Sequence, residues 1–315
     1  MSISVVIPVF NELESLPVLV DELKMNLKDF DLWEIIFVDD GSSDGSTELL
    51  SDLCLSKSNY RLIQFHRNYG KSAALSEGFR VAKGDCVITM DADLQDDPSE
   101  IKNLVSKLNE GWDLVSGWKK TRLDPLNKRL PSKIFNFVLR LVTGVKIHDF
   151  NCGLKGYKKA VIKSIEIYGG RHRFIPALAG QKRFKVTEIV VNHRPRQFGE
   201  TKYGGSRFLH GFFDLITILF LNKFTQQPLH LFGSFGIIFF SAGFMVECFI
   251  LYYKYVLLEP FSRHMALLTF GVMLIVIGIQ FFSIGLLGEL MAKANHNQEI
   301  RIKYSKDDNQ LKSKD

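Results

Sequence analysis

Cys86-Val87-Ile88-Thr89-Met90-Asp91-Ala92-Asp93-Leu94-Gln95 passes from an apolar run directly into a cluster of carboxylate and amide side chains. A strand that ends in this way delivers its polar residues to the rim of a sheet, where Asp91 and Asp93 can face the same cleft. Short runs rich in Val and Ile also occupy 3–9, 34–39 and 61–66, with 85–91 as the fourth. Helical patterns such as Leu13 to Leu27 and Thr47 to Leu55 separate them. Strand and helix alternating at this spacing predict an α/β fold with a mostly parallel sheet and right-handed crossovers. Ligands then sit at the carboxyl ends of the strands. The polar residues after those strands are Asn11-Glu12, Asp39-Asp40, Arg67-Asn68 and Asp91 to Gln95, so separate loops converge on one rim.

The residue types at that rim suggest its chemistry. Carboxylate oxygens suit hard cations such as Mg²⁺ or Mn²⁺, which bridge a protein to substrate phosphates. In Asp39-Asp40-Gly41-Ser42-Ser43-Asp44 the Gly and Ser residues favour a tight turn, and its carboxylates can accept hydrogen bonds from a nucleobase or ribose. Ser43 or Asp44 can instead cap the helix that begins near Thr47. His148, His172 and His193 have no metal-ligand spacing and are assigned to none.

Charge is unevenly distributed along the 315 residues, whose formal net charge is +6. Residues 265–288 contain no Asp, Glu, Lys, Arg or His, and 229–253 contain only His230 and Glu247. A helix crossing a bilayer core needs about 20 apolar residues, so both segments are long enough to span. The reading is a soluble α/β domain over 1–204, an interfacial amphipathic helix over 205–228, two transmembrane helices within 229–291 and a polar tail over 292–315. Phe208, Leu209, Phe212 and Phe213 give the interfacial segment its apolar face. Arg207 and Lys223 precede the spans and Lys293, Arg301, Lys303 and Lys306 follow them, so both termini are expected in the cytoplasm. The N-terminus has no basic leader and reads as a first strand, which keeps the soluble domain on the same side. Basic residues gather between Lys119 and Lys133 and between Lys182 and Arg207, a placement that favours anionic lipid and phosphate over nucleic acid. Gly271, Gly278, Gly285 and Gly288 offer small surfaces for helix packing and hence for a homo-oligomer. Cys54, Cys86, Cys152 and Cys248 lack metal-ligand spacing and read as buried, reduced residues.

Pro8-Val9-Phe10-Asn11-Glu12, Val38-Asp39-Asp40-Gly41-Ser42, Arg67-Asn68-Tyr69-Gly70-Lys71 and Asp91-Ala92-Asp93-Leu94-Gln95-Asp96 resemble the inverting family 2 glycosyltransferases, which have a Rossmann-like GT-A fold. Asp149-Phe150-Asn151-Cys152-Gly153-Leu154, His172-Arg173-Phe174-Ile175-Pro176 and Arg196-Gln197-Phe198-Gly199-Glu200-Thr201-Lys202-Tyr203 narrow the resemblance to the dolichyl-phosphate mannose synthase-like branch. With two C-terminal spans the chain looks like the bacterial polyprenyl-phosphate glycosyltransferases of that branch. The resemblance implies that Pro8, Phe10, Glu12, Val38 and Asp40 surround the nucleoside of a nucleotide-sugar and that Asp91, Ala92 and Asp93 contact the donor. It further implies that Asp93 and Gln95 hold the metal. Lys119, where the mannose synthases usually carry arginine, is implied at the donor as well as at the acceptor phosphate, and Arg129 and Ser132 fall in the stretch that receives the lipid phosphate. Arg196 and Lys202 match a basic pair that closes over the diphosphate. Asp93, Arg196 and Lys202 are thus the expected catalytic set.

The implied acceptor is a polyisoprenyl phosphate. A phosphate monoester has a second pKa of about 6, so it is largely ionised at neutral pH and needs no strong base. Direct attack would invert the anomeric centre, and Asp149 is then an orienting or structural acid. A polysaccharide-forming enzyme with a hydroxyl acceptor, which does need a base, and an inactive membrane scaffold are the competing readings.

Overall fold

The computed structural model describes residues 1–120, 126–195, 198 and 227–294, with backbone only at 126–134 and 294. Arg196, Lys202 and nearly all of the proposed interfacial helix lie outside the described residues, as do the side chains of Arg129 and Ser132. The chain divides into two units, Met1–Leu219 and Phe220–Asp315.

In the first unit, β1 (Ile3–Val9), β2 (Trp33–Asp39), β3 (Tyr60–Gln64), β4 (Cys86–Thr89), β5 (Leu114–Trp118), β6 (Lys155–Lys158) and β7 (Val186–Val190) form one seven-stranded sheet. Its order is β3-β2-β1-β4-β6-β5-β7. The connecting helices are α1 (Leu16–Leu27), α2 (Ser46–Ser56), α3 (Lys71–Val81), α4 (Ile101–Asn109), α5 (Leu126–Thr143), α6 (Lys159–Ser164) and α7 (Ile175–Gln181). Period-two alternation sorts the strand residues into two layers. Val5, Ile7, Ile35, Phe37 and Ile88 pack with Leu16, Leu19 and Leu23 of α1, Leu50 of α2 and Leu104 and Leu108 of α4. Val6, Ile36, Val38 and Val87 pack on the other face with Ala74, Leu75 and Phe79 of α3 and with residues of α6 and α7.

The sheet is mixed rather than simply parallel. β6 runs antiparallel to both β4 and β5, while the β1–β2, β1–β4, β2–β3 and β5–β7 pairs are parallel. This reversal has a functional effect, because the start of β6, not its end, meets the carboxyl ends of its neighbours. The Asp149–Leu154 segment therefore reaches the same rim from the opposite chain direction. Helix α1 begins later than the apolar pattern suggests. Leu13 N–H donates to Asp44 Oδ2 (3.0 Å), and the helix starts at Leu16 with Pro17 in its first turn, where no N–H is needed. Asp44, not Ser43, secures the start of α2: its Oδ1 accepts from Ser46 N (3.0 Å) and Ser46 Oγ (2.6 Å).

The second unit contains α8 (Pro228–Tyr255) and α9 (Met265–Ala294), each long and apolar enough to cross a membrane. Only 17% of the most apolar window of each is buried, so they are not the core helices of a soluble hairpin. Phe, Leu, Ile and Met side chains stay exposed along both helices, as a lipid-facing surface requires. The glycines lie between the two helices. A Cβ on Gly278 would stand 2.6 Å from Phe240 N, one on Gly243 2.6 Å from Gly271 O, and one on Gly285 3.0 Å from a Leu229 methyl. Gly271, Gly278, Gly285 and Gly288 thus pack within the hairpin, against Glu247, Phe240, Leu229 and Pro228 of α8. Cys248 also departs from expectation, being exposed on α8, and Cys54 is only half-buried.

Candidate active site

The rim is built from backbone-anchored turns. At the end of β2, Asp39 accepts from Ser42 N (3.1 Å) and Ser42 Oγ (2.5 Å) and from Thr47 Oγ1. Ser42 Oγ in turn accepts from Asn11 N (2.9 Å), and Asn11 Oδ1 accepts from Ser43 N (2.8 Å), which joins the loop after β1 to the loop after β2. Asn11 takes the left-handed conformation (φ 53°), which asparagine tolerates better than most residues. Pro8, Phe10 and Glu12 line this end of β1 half-buried.

Asp40 is 4% exposed and accepts from the backbone amides of Tyr69 (2.6 Å) and Gly70 (2.9 Å). Burial pushes its carboxyl up, against the two amides that favour the charged form. Its first task is therefore to hold the loop ahead of α3. Val38 is a correction. It is wholly inaccessible, with its side chain in the layer under α3, so it supports the end of β2 from within the core and offers no surface to a ligand.

The Asp91–Gln95 motif follows β4. Leu94 has φ 60°, a left-handed conformation costing about 1–2 kcal/mol for an L-residue, and its buried side chain (1% exposed) holds it there. The kink lets Asp93 and Gln95 share one turn, with Gln95 N–H donating to Asp93 Oδ1 (3.2 Å). Ala92 is nearly buried. Among the described residues no three His, Cys, Asp or Glu side chains converge to hold a metal ion. The Asp93 carboxylate and the Gln95 amide oxygen are of the type that suits a hard cation, and would supply part of an oxygen shell that needs further ligands from outside the protein.

Asp91 is paired with Lys71, the first residue of α3. Burial opposes the charged carboxylate, but the Lys71 ammonium outweighs it and holds the Asp91 carboxyl down at about 2. Lys119 Nζ lies 2.8 Å from Asp96 Oδ1, with side-chain exposures of 12% and 1%. Burial disfavours the Lys119 ammonium, yet the Asp96 carboxylate more than compensates and raises its pKa. The Lys119 amine expected at the donor or acceptor phosphate is thus already committed beneath the motif, which corrects that assignment.

Behind Asp91 lies the segment before β6. Thr89 Oγ1 donates to Gly153 O (2.8 Å), and a Cβ on Gly153 would stand 2.6 Å from Asp91 Oδ2. Gly153→Ala should push Asp91 off Lys71, and a misplacement on the order of 1 Å costs about 10²-fold in turnover. Steady-state transfer rates and a melting curve check this, and unchanged turnover would show that Asp91 need not be held. Asp149 is 1% exposed, and its Oδ1 accepts from Asn151 N (3.0 Å). His172 Nδ1 lies 2.9 Å from Ser72 Oγ; burial, with help from Lys71 and Arg173, lowers its pKa to about 3, so it is neutral at working pH. Opposite Gln95, Arg194 N donates to Gln95 O (2.9 Å), and its guanidinium pairs with Glu22 (2.8 Å) and Asp97 (2.9 Å). The chain at Arg194 is therefore fixed beside the motif.

Sequence reasoning missed the roles of Lys71, Gly153 and Ser72. The available signal was position: Lys71 opens a helix directly after a rim loop, and Asp91 follows directly on a strand.

A family model described as Glycosyl transferase family 2 matches residues 4–166. The chain is 36% identical over 304 residues to the undecaprenyl-phosphate 4-deoxy-4-formamido-L-arabinose transferase of Salmonella choleraesuis (strain SC-B67), covering 96% of this chain and 91% of that protein. The protein of the same name from Salmonella paratyphi B matches to the same extent. Among solved structures, glucosyl-3-phosphoglycerate synthase from Mycobacterium tuberculosis, in complex with Mn²⁺ and uridine-diphosphate-glucose, superposes with a TM-score of 0.55 at 21% identity. That match covers 70% of this chain and 78% of that one, and it reports a shared GT-A fold. The family match begins in β1 and runs through α6, taking in the rim loops after β1, β2, β3 and β4, and similarity to whole relatives continues into the apolar hairpin; the chain belongs to glycosyltransferase family 2.

Proposed function

We propose that this chain transfers a sugar, with inversion, from a nucleotide-sugar to a polyisoprenyl phosphate at a membrane surface. The observation that carries the reading is 36% identity, across 96% of the chain, to a transferase named for undecaprenyl phosphate, in a protein that ends in two apolar helices. The nucleoside sits against Pro8, Phe10 and Glu12, with Asp40 ordering the wall. The diphosphate lies over Ala92 and Asp93, with Arg196 and Lys202 closing on it. Arg129 and Ser132 grip the acceptor phosphate, whose oxygens a guanidinium and a hydroxyl can satisfy together.

A divalent ion, Mg²⁺ or Mn²⁺, held by Asp93 and Gln95 would neutralise charge building on the departing nucleoside diphosphate. The residues themselves align the acceptor oxygen behind the anomeric carbon and exclude water. Burial of Asp149, with Oδ1 engaged by Asn151 N, supports an acceptor that needs no base. Both termini are assigned to the cytoplasmic side, with the catalytic domain at 1–204 and an interfacial helix at 205–228.

The test uses purified full-length protein, Mg²⁺ or Mn²⁺ and labelled GDP- and UDP-sugars, with a 4-deoxy-4-formamido-L-arabinose donor included. Polyprenyl phosphate is compared with the matching polyprenol. Transfer to the phosphate should exceed transfer to the alcohol by at least about 10³-fold, since only the former arrives ionised. Asp149→Asn should retain measurable transfer. Equal use of the alcohol, or complete loss of chemistry in a folded Asp149→Asn protein that binds both substrates, would sink the phosphate-nucleophile reading.

A further inference from the structure

Within the motif, two acids are each matched by a lysine from elsewhere in the fold. Lys71 contacts Asp91, and Lys119 stands 2.8 Å from Asp96. The two pairs differ in exposure. Lys119 and Asp96 are 12% and 1% exposed, a sealed structural pair, whereas Lys71 and Asp91 are 27% and 34% exposed and open into the cleft. Only the second pair can meet a ligand.

The position of the Lys71 amine is set from both sides. On the N-terminal side, Asp40 anchors the amides of Tyr69 and Gly70. On the C-terminal side, Ser72 Oγ accepts from His172 N (3.1 Å) and contacts His172 Nδ1. Asp91 is equally confined, because the backbone at Gly153 lies against its carboxylate. An ionised Asp91 next to Asp93 would make a paired-carboxylate site able to attract a divalent ion without any donor. The Lys71 ammonium cancels that attraction, leaving a ligand set too small to satisfy a hard cation alone.

We propose that Lys71 is a positioning residue that keeps Asp91 out of the metal's coordination shell and so makes metal binding conditional on the donor's diphosphate. The inference rests on the metal reading given under Proposed function. It adds an order of events, in which nucleotide and ion enter together, and it names the residue responsible.

Mn²⁺ binding to the full-length protein, followed by electron paramagnetic resonance, tests it with Mn²⁺ alone, Mn²⁺ plus UDP and Mn²⁺ plus GDP. In the unaltered protein, one nucleotide should strengthen Mn²⁺ binding by about 10²-fold or more, since two phosphates add charge and ligands. Lys71→Gln should bind Mn²⁺ alone at least about tenfold more tightly than the unaltered protein, because a nearby positive charge is gone. Lys71→Arg should behave like the unaltered protein. Lys71→Gln combined with Asp91→Asn should return to weak binding of the bare ion. Equal Mn²⁺-alone affinity in Lys71→Gln and the unaltered protein would overturn the inference while leaving the metal reading intact. Absence of nucleotide-dependent Mn²⁺ binding in the unaltered protein would remove both. Should Lys71→Gln fail to fold, the charge-neutral double variant decides: it should match the unaltered protein in Mn²⁺-alone affinity, and a tenfold loss would show Asp91 to be a ligand after all.

Discussion

Asp93→Ala is expected to slow sugar transfer by about 10³-fold or more while leaving the melting temperature within a few degrees of the unaltered protein. Electrostatic stabilisation of a developing charge is commonly the largest catalytic contribution, and one preorganised group is worth about 10²–10³-fold. Asp93 is the acid assigned to the ion, so its loss removes both a ligand and the charge that attracts it. The fold should tolerate the change because Asp93 is half-exposed on a turn held by buried Leu94. Chelation of the unaltered protein should reproduce the defect, and readded Mg²⁺ or Mn²⁺ should reverse it only where Asp93 is present. Near-normal turnover of Asp93→Ala in metal-free buffer would end the proposal.

Lys119→Met should have the largest effect on stability. It leaves the Asp96 carboxylate, 1% exposed, without its ammonium partner. Removing one member of a buried pair costs about 3–5 kcal/mol, which for a domain of this size lowers the melting temperature by about 6–20 °C. The double replacement Lys119→Met with Asp96→Asn should recover much of that loss, because no buried charge is then left uncompensated. Thermal unfolding of the single and double variants measures the coupling. Additive losses would show that Lys119 and Asp96 do not act as a pair.

The sheet and its rim were legible because their signals are local. Val- and Ile-rich runs ending in polar residues locate β1, β2, β3 and β4 within a few residues, and the loops after them do meet at one edge. β6 left no such signal. Lys155-Gly156-Tyr157-Lys158 is short and not visibly apolar, so the antiparallel insertion that brings Asp149–Leu154 to the rim could not be read from pattern. Ion pairs were invisible for a related reason. Lys71–Asp91 and Lys119–Asp96 join residues from different elements, and nothing in the local sequence of Lys119-Lys120 distinguishes a buried lysine from an exposed one. The glycine-rich face of α9 was legible as a packing surface, but composition alone does not say whether the approaching helix belongs to the same chain.

The loop between β3 and α3 carries its load through main-chain amides, and this sets how the segment can vary. Tyr69 is 55% exposed, its ring resting edge-on to Phe65 with the Arg67 guanidinium 5.0 Å from its centroid. Asp40 reads only the N–H groups at 69 and 70, and Gly70 at φ 90° is the one position whose backbone demands glycine. Spelling at Tyr69 is therefore free, whereas spacing is not. One inserted or deleted residue shifts the chain by up to about 3.8 Å, more than the reach between an ammonium and its carboxylate, and would separate Lys71 from Asp91. Tyr69 is accordingly a suitable place for a fluorescent or cross-linking side chain that reports on the cleft, and the segment from Arg67 to Lys71 is a poor place for any tag or linker.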